Sequence, residues 1–194
     1  MKRIILYLVT AVAGAFGSVS AQDIAVKSNV LSDALLNING GVEVGLAPRW
    51  TLDLTGQFNG WNLSHGRRWK HWSVQPEARY WFCDRFCGHF VGVHAHGGQF
   101  NIGGFNGRLN LFGTDTRKLA DTRYQGWFVG AGVAYGYAWV LNRRWNLEAE
   151  IGLGYSYTRY DRFRCVGCGK KTEAGRSHHY VGPTKAAINL VYLF

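Results

Sequence analysis

Apolar and polar residues alternate along most of the chain, most clearly from Trp145 to Tyr157. There Trp145, Leu147, Ala149, Ile151, Leu153, Tyr155 and Tyr157 interleave with Asn146, Glu148, Glu150, Gly152, Gly154 and Ser156. A period of two puts each set on its own face of a strand, and a helix would scatter both sets around its axis. The same pattern recurs at about 24–34, 37–47, 50–61, 69–82, 88–99, 124–141 and 184–194, which makes eight predicted strands in an all-β chain. Tight connections at 47–49, 83–87 and 141–144 alternate with longer ones at 62–68, 100–123 and 159–182. Short turns at one end and long loops at the other predict a closed antiparallel up-and-down β-barrel that crosses a membrane. The short connection at 35–37 departs from that rule, and Pro76, inside an otherwise regular strand, predicts a bulge near Gln75.

Alternation does not by itself say which face looks outward, since a water-soluble lipocalin-like barrel also alternates, with its apolar side in. Three features favour the opposite orientation. Aromatic residues cluster at the ends of the apolar face, at Trp50 and Phe58, Trp72 and Phe82, Trp127 and Trp139, and Trp145 and Tyr155. Ten steps of roughly 3.3 Å at a tilt of about 40° project to about 25 Å, the height of a lipid-facing band. The polar face is mostly small residues carrying a few charges of both signs, where a water-exposed face would carry many more. Finally, Phe194 shares a face with Tyr192, Leu190 and Ile188, as in the terminal strand signal read by outer-membrane insertion machinery.

The N-terminus fits the same destination. Lys2 and Arg3 precede an apolar run from Ile4 to about Phe16 and small residues at Val19, Ser20 and Ala21, the pattern of a secretory signal peptide. The run is too short for a spanning helix, which needs roughly 20 residues. Residues 1–21 are therefore expected to be removed, leaving 22–194 as one barrel domain integral to the outer membrane. No lipobox cysteine follows the expected cleavage site.

Composition adds little to the fold and more to the partners. Gly 26, Trp 8, Tyr 10, Phe 11 and Pro 3 suit glycine- and aromatic-rich strands. Loss of Lys2 and Arg3 with the leader leaves 20 basic residues against 12 acidic, a net +8. Much of that charge falls in the predicted outer loops: Arg67, Arg68, Lys70, Arg108, Arg117, Lys118, Arg123, Arg159, Arg162, Arg164, Lys170, Lys171 and Arg176, against Asp115, Asp121, Asp161 and Glu173. Such a rim is expected to attract the phosphates of lipopolysaccharide or an acidic partner. Nucleic acid is not an expected partner of a surface outside the cell.

Several segments resemble the domain-of-unknown-function family 3575, a group of outer-membrane barrels typical of Bacteroidetes. They are Val26-Lys27-Ser28-Asn29, Arg49-Trp50-Thr51-Leu52-Asp53, Arg68-Trp69-Lys70-His71-Trp72, Gln75-Pro76-Glu77-Ala78-Arg79-Tyr80-Trp81, Gly88-His89-Phe90-Val91-Gly92 onward to Gly104, and Asn142-Arg143-Arg144-Trp145-Asn146-Leu147-Glu148. The resemblance implies location and fold and supplies no activity. Its members often occur near fimbrial-type genes, which implies envelope or fimbria-related work by association. The four cysteines stand outside the resemblance.

The inward face carries the candidate chemistry: Lys27, Glu43, Asp53, Glu77, Arg79, Glu148, Glu150 and Lys185. Pairing strands by their tight turns puts Glu43 about opposite Asp53, and the next loop brings Glu77 and Arg79 beside it. An unpaired buried charge costs several kcal/mol, so these groups are expected to form a salt-bridged plug in a filled barrel rather than line a pore. Gly132, Gly136 and Ala138 on the neighbouring strand make room for Glu148 and Glu150.

His94 and His96 are expected to point inward beside Gln75 and Glu77, a pairing suited to acid or base work, with Ser73 and Ser156 the nearest inward hydroxyls. No supported nucleophile accompanies them, and Ser177 with His178 is the other candidate pair. Cys165 and Cys168, followed by His178 and His179, offer a zinc-like set of poor spacing. In an oxidising compartment a local disulfide is the expected state, as for Cys83 and Cys87, although free thiols or cross-bridges stay open. The sequence thus predicts a monomeric, non-catalytic barrel without cofactor, serving envelope structure or docking a surface partner that could be fimbrial. An enzyme modifying outer-leaflet lipid A is the alternative.

Overall fold

Cross-strand pairing runs unbroken around eight strands of the chain and returns to its start. The computed structural model describes residues 23–61, 68–104, 110–111, 114–115, 122–164 and 171–194. In chain order the elements are β1 (Ile24–Asn29), α1 (Val30–Ala34), β2 (Ile38–Ala47), β3 (Trp50–Asn59), β4 (Arg68–Trp81), β5 (Gly88–Gly103), β6 (Asn110–Leu111), β7 (Thr114–Asp115), β8 (Arg123–Val140), β9 (Trp145–Phe163) and β10 (Lys171–Leu193). The closed ring has the order β1-β10-β9-β8-β5-β4-β3-β2, every neighbour antiparallel, while β6 and β7 form a separate two-stranded ribbon. Closure leaves no strand edge unpaired in the ring.

Three expectations about the strands need correction. The first predicted strand stops at Asn29 rather than running to 34, because the Asn29 side chain accepts a hydrogen bond from the Leu31 amide at 3.1 Å and caps α1. Asp33 holds the turn in place, accepting from Ser28 Oγ at 2.9 Å and from Asn39 Nδ2 at 2.6 Å. The predicted loop at 159–182 is largely strand, since β9 continues to Phe163 and β10 begins at Lys171. No bulge occurs near Gln75. Val74 pairs with Gly97 and Glu77 with His94 in one register, and β3 pairs with β4 without a shift, so Pro76 costs one ladder hydrogen bond and no displacement. Irregularities fall elsewhere, between Gly45 and Ala47, at two places in Lys171–Arg176, and between Pro183 and Lys185.

The two faces of the ring are inverted relative to a water-soluble barrel. Val93 is 65% exposed, whereas His94 beside it is 1% exposed. Outward positions carry Val42, Leu52, Leu54, Val133, Ile151 and Leu153, all exposed, while Lys27, Glu43, Asp53, Glu77 and Arg79 are buried inside. Aromatic collars bound this apolar wall. At the end with the tight turns, Trp50 packs on Tyr80 at 5.1 Å, Tyr137 on Trp139 at 4.8 Å, and Trp145 on Tyr192 at 5.0 Å. At the other end stand Phe58, Trp72 and Trp127, with Trp127 5.7 Å from Tyr157. No helix among the described residues is long and apolar enough to cross a membrane, which says nothing of strands.

Candidate functional site

An apolar floor closes the interior at the tight-turn end. Trp81, Phe86 and Phe90 pack with Ala25, Ala138 and Val191, and the Trp81 and Phe90 rings lie 4.6 Å apart. Phe86 reaches this floor by adopting a left-handed backbone (φ 64°) in the turn before β5. The turn is closed by backbone hydrogen bonds from Phe82 N to His89 O and from Cys87 N to Asp84 O, and Asn146 Nδ2 donates to Phe86 O at 2.7 Å. Cys83 and Cys87 are exposed free thiols, not the disulfide expected there; the inward anchor of the turn is Phe86.

Above the floor lies a buried network of ion pairs centred on Arg79, which presents its guanidinium to all five interior carboxylates. Nε donates to Glu77 at 2.6 Å, Nη2 to Glu150 at 2.7 Å, and Nη1 to Glu43 at 2.9 Å and to Glu148 at 3.0 Å. Asp53 lies 3.3 Å from Nη2. Only a planar fork with donors on three nitrogens serves so many acceptors, which is why arginine rather than lysine holds the centre. The Phe90 ring lies 4.6 Å from its Cζ. Lys27 pairs with Glu43 and approaches Asp53 at 3.4 Å, and Lys185 reaches Glu77 at 2.8 Å and Glu150 at 3.0 Å.

Register explains how these groups meet. Glu43 faces Asp53, Asp53 faces Glu77, and Glu77 faces His94, so one row crosses four strands. Glu148 and Glu150 pair with Ala138 and Gly136 on β8, whose small side chains leave room for them. A Cβ at Gly136 would fall 2.3 Å from Phe90 Cζ, and one at Gly132 would fall 2.4 Å from Leu153 O and 2.8 Å from His94 Nε2. The irregularity at Pro183 shifts the phase of β10 by one residue, so that Thr184 and Lys185 both serve the interior. Among the described residues the interior sets five carboxylates against three cations.

Further from the floor the interior turns neutral. His94 Nε2 lies 3.0 Å from Thr184 Oγ1, its Nδ1 lies 3.6 Å from Glu77, and its ring is 5.7 Å from that of His96. Ser73 accepts from Gln57 Nε2 at 2.9 Å, and the buried Ser156 stands across Gly130 from His96. A cavity of about 190 Å3 lies beside the network, lined by Lys27, Asn39, Gln75, Thr184, Lys185 and Asn189 among others. Sequence reasoning missed Thr51, Asn189 and Thr184. Thr51 donates to Glu43 and accepts from Trp81 Nε1 at 2.9 Å, and Asn189 donates to Glu148 at 2.7 Å. Thr51 and Asn189 were readable by parity, being in phase with Asp53 and Lys185.

The remaining candidates separate. Ser177 and His178 are consecutive in β10 and point to opposite faces, so they do not form a nucleophile and base pair. The same alternation divides His178 from His179, whose Nδ1 meets the Tyr155 hydroxyl, so the two histidines do not converge on one ion. Cys165 and Cys168 lie outside the described residues, as do the leader and the loop cations Arg67, Arg108, Arg117, Lys118 and Lys170. No group of three metal-ligating side chains suited to an ion occurs among the described residues.

The described basic residues of the far end other than Arg164 sit on strand extensions. Lys171 pairs with Asp161 at 2.6 Å, and Glu173 takes Arg176 at 2.9 Å and Arg162 at 3.6 Å. Lys171 and the Gly175 amide together hold the Asp161 carboxyl below its ordinary pKa of 3.8.

No curated protein matches this chain. The family model described as protein of unknown function (DUF3575) matches residues 4–194, essentially the whole chain, and the protein belongs to that family.

Proposed function

We propose that the mature chain is an integral outer-membrane β-barrel without catalytic activity, delivered by a cleaved leader at 1–21. Its interior is plugged by the Arg79-centred network. Its basic far end serves envelope structure or docks a surface partner, including a fimbria-related one. The observation that carries this reading is the inversion of the two faces: an apolar wall between aromatic collars outside, and ionised groups inside. Water would have to be excluded from that wall for the fold to be stable, and a bilayer does so. A lumen filled by side chains supports a plug over a channel.

Running the protein on a gel with and without boiling tests the fold in a membrane. A folded barrel migrates differently in the two samples, and a soluble, unshifted protein overturns the proposal. The alternative of an enzyme acting on outer-leaflet lipid has one observation on its side, the line Thr184, His94, Glu77. Mass spectrometry of lipid A from a deletion strain separates the two: an unchanged acyl and phosphate pattern is expected, and an altered one refutes the non-catalytic reading.

A further inference from the structure

A groove of about 650 Å3 lies just above the apolar band, running from Phe58 on β3 across β4, β5, β8 and β9 to Lys171 on β10. Its shape follows from register. Trp72 faces Gln99 and Gln99 faces Trp127, so two indoles flank a slimmer side chain. One row nearer the loops, Lys70, Asn101, Gln125 and Asp161 lie side by side, with Lys171 bonded to Asp161. One row further, beyond the residues that line the groove, Arg68 and Arg123 flank Gly103. Toward the apolar band, Gly97 lies between Val74 and Val129, and Ala95 faces Ala131, so a shallow channel descends β5.

Two polar atoms here have no hydrogen-bond partner among the described residues. The Oδ1 of Asn101 and the Nε of Arg123 are buried from solvent and form no hydrogen bond. The Arg123 guanidinium lies 4.0 Å over the Phe163 ring, and burial together with the charge of Arg68 holds its pKa below the ordinary value. Arg68 and Arg123 stand two strand spacings apart, roughly 10 Å, close enough for both long side chains to meet on one anion over Gly103. Among the described residues of these rows Asp161 is the one acidic group, and Lys171 already pairs with it.

We propose that this wall docks one phosphorylated glycolipid of the outer leaflet, a deepening that rests on the membrane reading above. Arg68 and Arg123 hold its phosphate with Lys70 beside them. The saccharide lies against Gln99, Asn101 and Gln125 between the two indoles, where amide side chains meet hydroxyls and aromatic faces meet the ring. An acyl chain runs down Gly97 and Ala95. The heights agree: Arg68 is four residues above Trp72 on β4, roughly 13 Å of strand, or about 10 Å after tilt, at the level of headgroups above an aromatic collar.

The full mature protein in phosphatidylcholine nanodiscs is doped with either bisphosphorylated lipid A or its dephosphorylated form, extracted into mild detergent, and analysed by native mass spectrometry for bound lipid. Wild type is expected to retain the phosphorylated form at least about tenfold over the other. R68Q/R123Q should retain both equally, while R143Q/R144Q, at the opposite end, should behave as wild type. Equal retention by wild type overturns the inference, as does displacement of the lipid by millimolar inorganic phosphate, which would mark a free-phosphate site. Loss of retention in R143Q/R144Q to the same extent would also overturn it, by showing bulk charge attraction. If wild type does not enter the nanodiscs, the membrane reading itself fails; if it enters and does not discriminate, only this inference does.

Discussion

Replacing Arg79 with methionine removes a side chain that touches five carboxylates, at 2.6 Å from Glu77, 2.7 Å from Glu150, 2.9 Å from Glu43, 3.0 Å from Glu148 and 3.3 Å from Asp53. Methionine fills similar length without charge, so packing on Phe90 changes less than the electrostatics do. At an effective dielectric of about 20, each attraction at 3 Å is worth roughly 5 kcal/mol. Five of them would exceed the whole stability of most domains, so they are not additive: desolvation and repulsion among the carboxylates cancel most of the gross sum. Breaking one buried pair costs about 3–5 kcal/mol, and R79M should cost at least that.

The charge count sharpens the test. In R79M five carboxylates face only Lys27 and Lys185, so R79M/E43Q/E148Q, with two fewer carboxylates, should regain part of the loss. E150Q alone, which moves the interior toward balance, should cost well under R79M. Urea unfolding of the protein folded in vesicles, followed by tryptophan fluorescence and by the boiled and unboiled gel shift, gives the differences. An R79M stability within about 1 kcal/mol of wild type would refute the central role of Arg79. A triple variant less stable than R79M would refute the charge argument.

G132A should destabilise by about 1–3 kcal/mol in the same assay, since its Cβ meets the Leu153 carbonyl and the His94 ring; an unchanged midpoint would mean that β8 and β9 can move apart there. Asp161 has a depressed folded pKa, so its contact with Lys171 and the Gly175 amide is fully present above the ordinary 3.8 and is lost as pH falls through the lower folded value. D161N should therefore speed hydrogen exchange at Gly175 near neutral pH, and an unaltered rate would show that the ladder alone protects this hairpin. In a C165S/C168S background, a membrane-impermeant maleimide should label Cys83 and Cys87 only after permeabilisation, because their turn lies at the end opposite the basic rim; labelling of intact cells would reverse the orientation.

The ring was legible because burial inside and an apolar face outside impose the period of two wherever a strand crosses the band. The same reason explains what was missed. Beyond the band both faces of β9 and β10 meet polar surroundings, so residues 159–182 lose the alternation while the backbone ladder continues. At Val30 and Leu31 the apolar pattern runs on, but the Asn29 cap offers the backbone a local alternative. The row Glu43, Asp53, Glu77 could be placed from turn lengths, because two-strand register is fixed by short connections. Thr184 could not, because Pro183 falls just before the expected start of the last strand at 184, where a proline reads as the end of a loop rather than as a phase shift within a longer strand.

The interior network draws on six strands, from β1 near the start of the chain to β10 at its end. Lys27, Glu43, Asp53, Glu77 and Arg79 already share the neighbouring strands β1 to β4, but Glu148, Glu150 and Lys185 come to them only when β1 meets β10 and the ring shuts. Until then the pairs that join Arg79 and Glu77 to β9 and β10 are unmade and contribute little to the barrier for folding. Interactions absent from the transition state set how fast a fold is lost rather than how fast it forms. The network is thus a latch on the closed seam: weakening it should shorten the lifetime of the folded protein and leave its rate of folding nearly as it was.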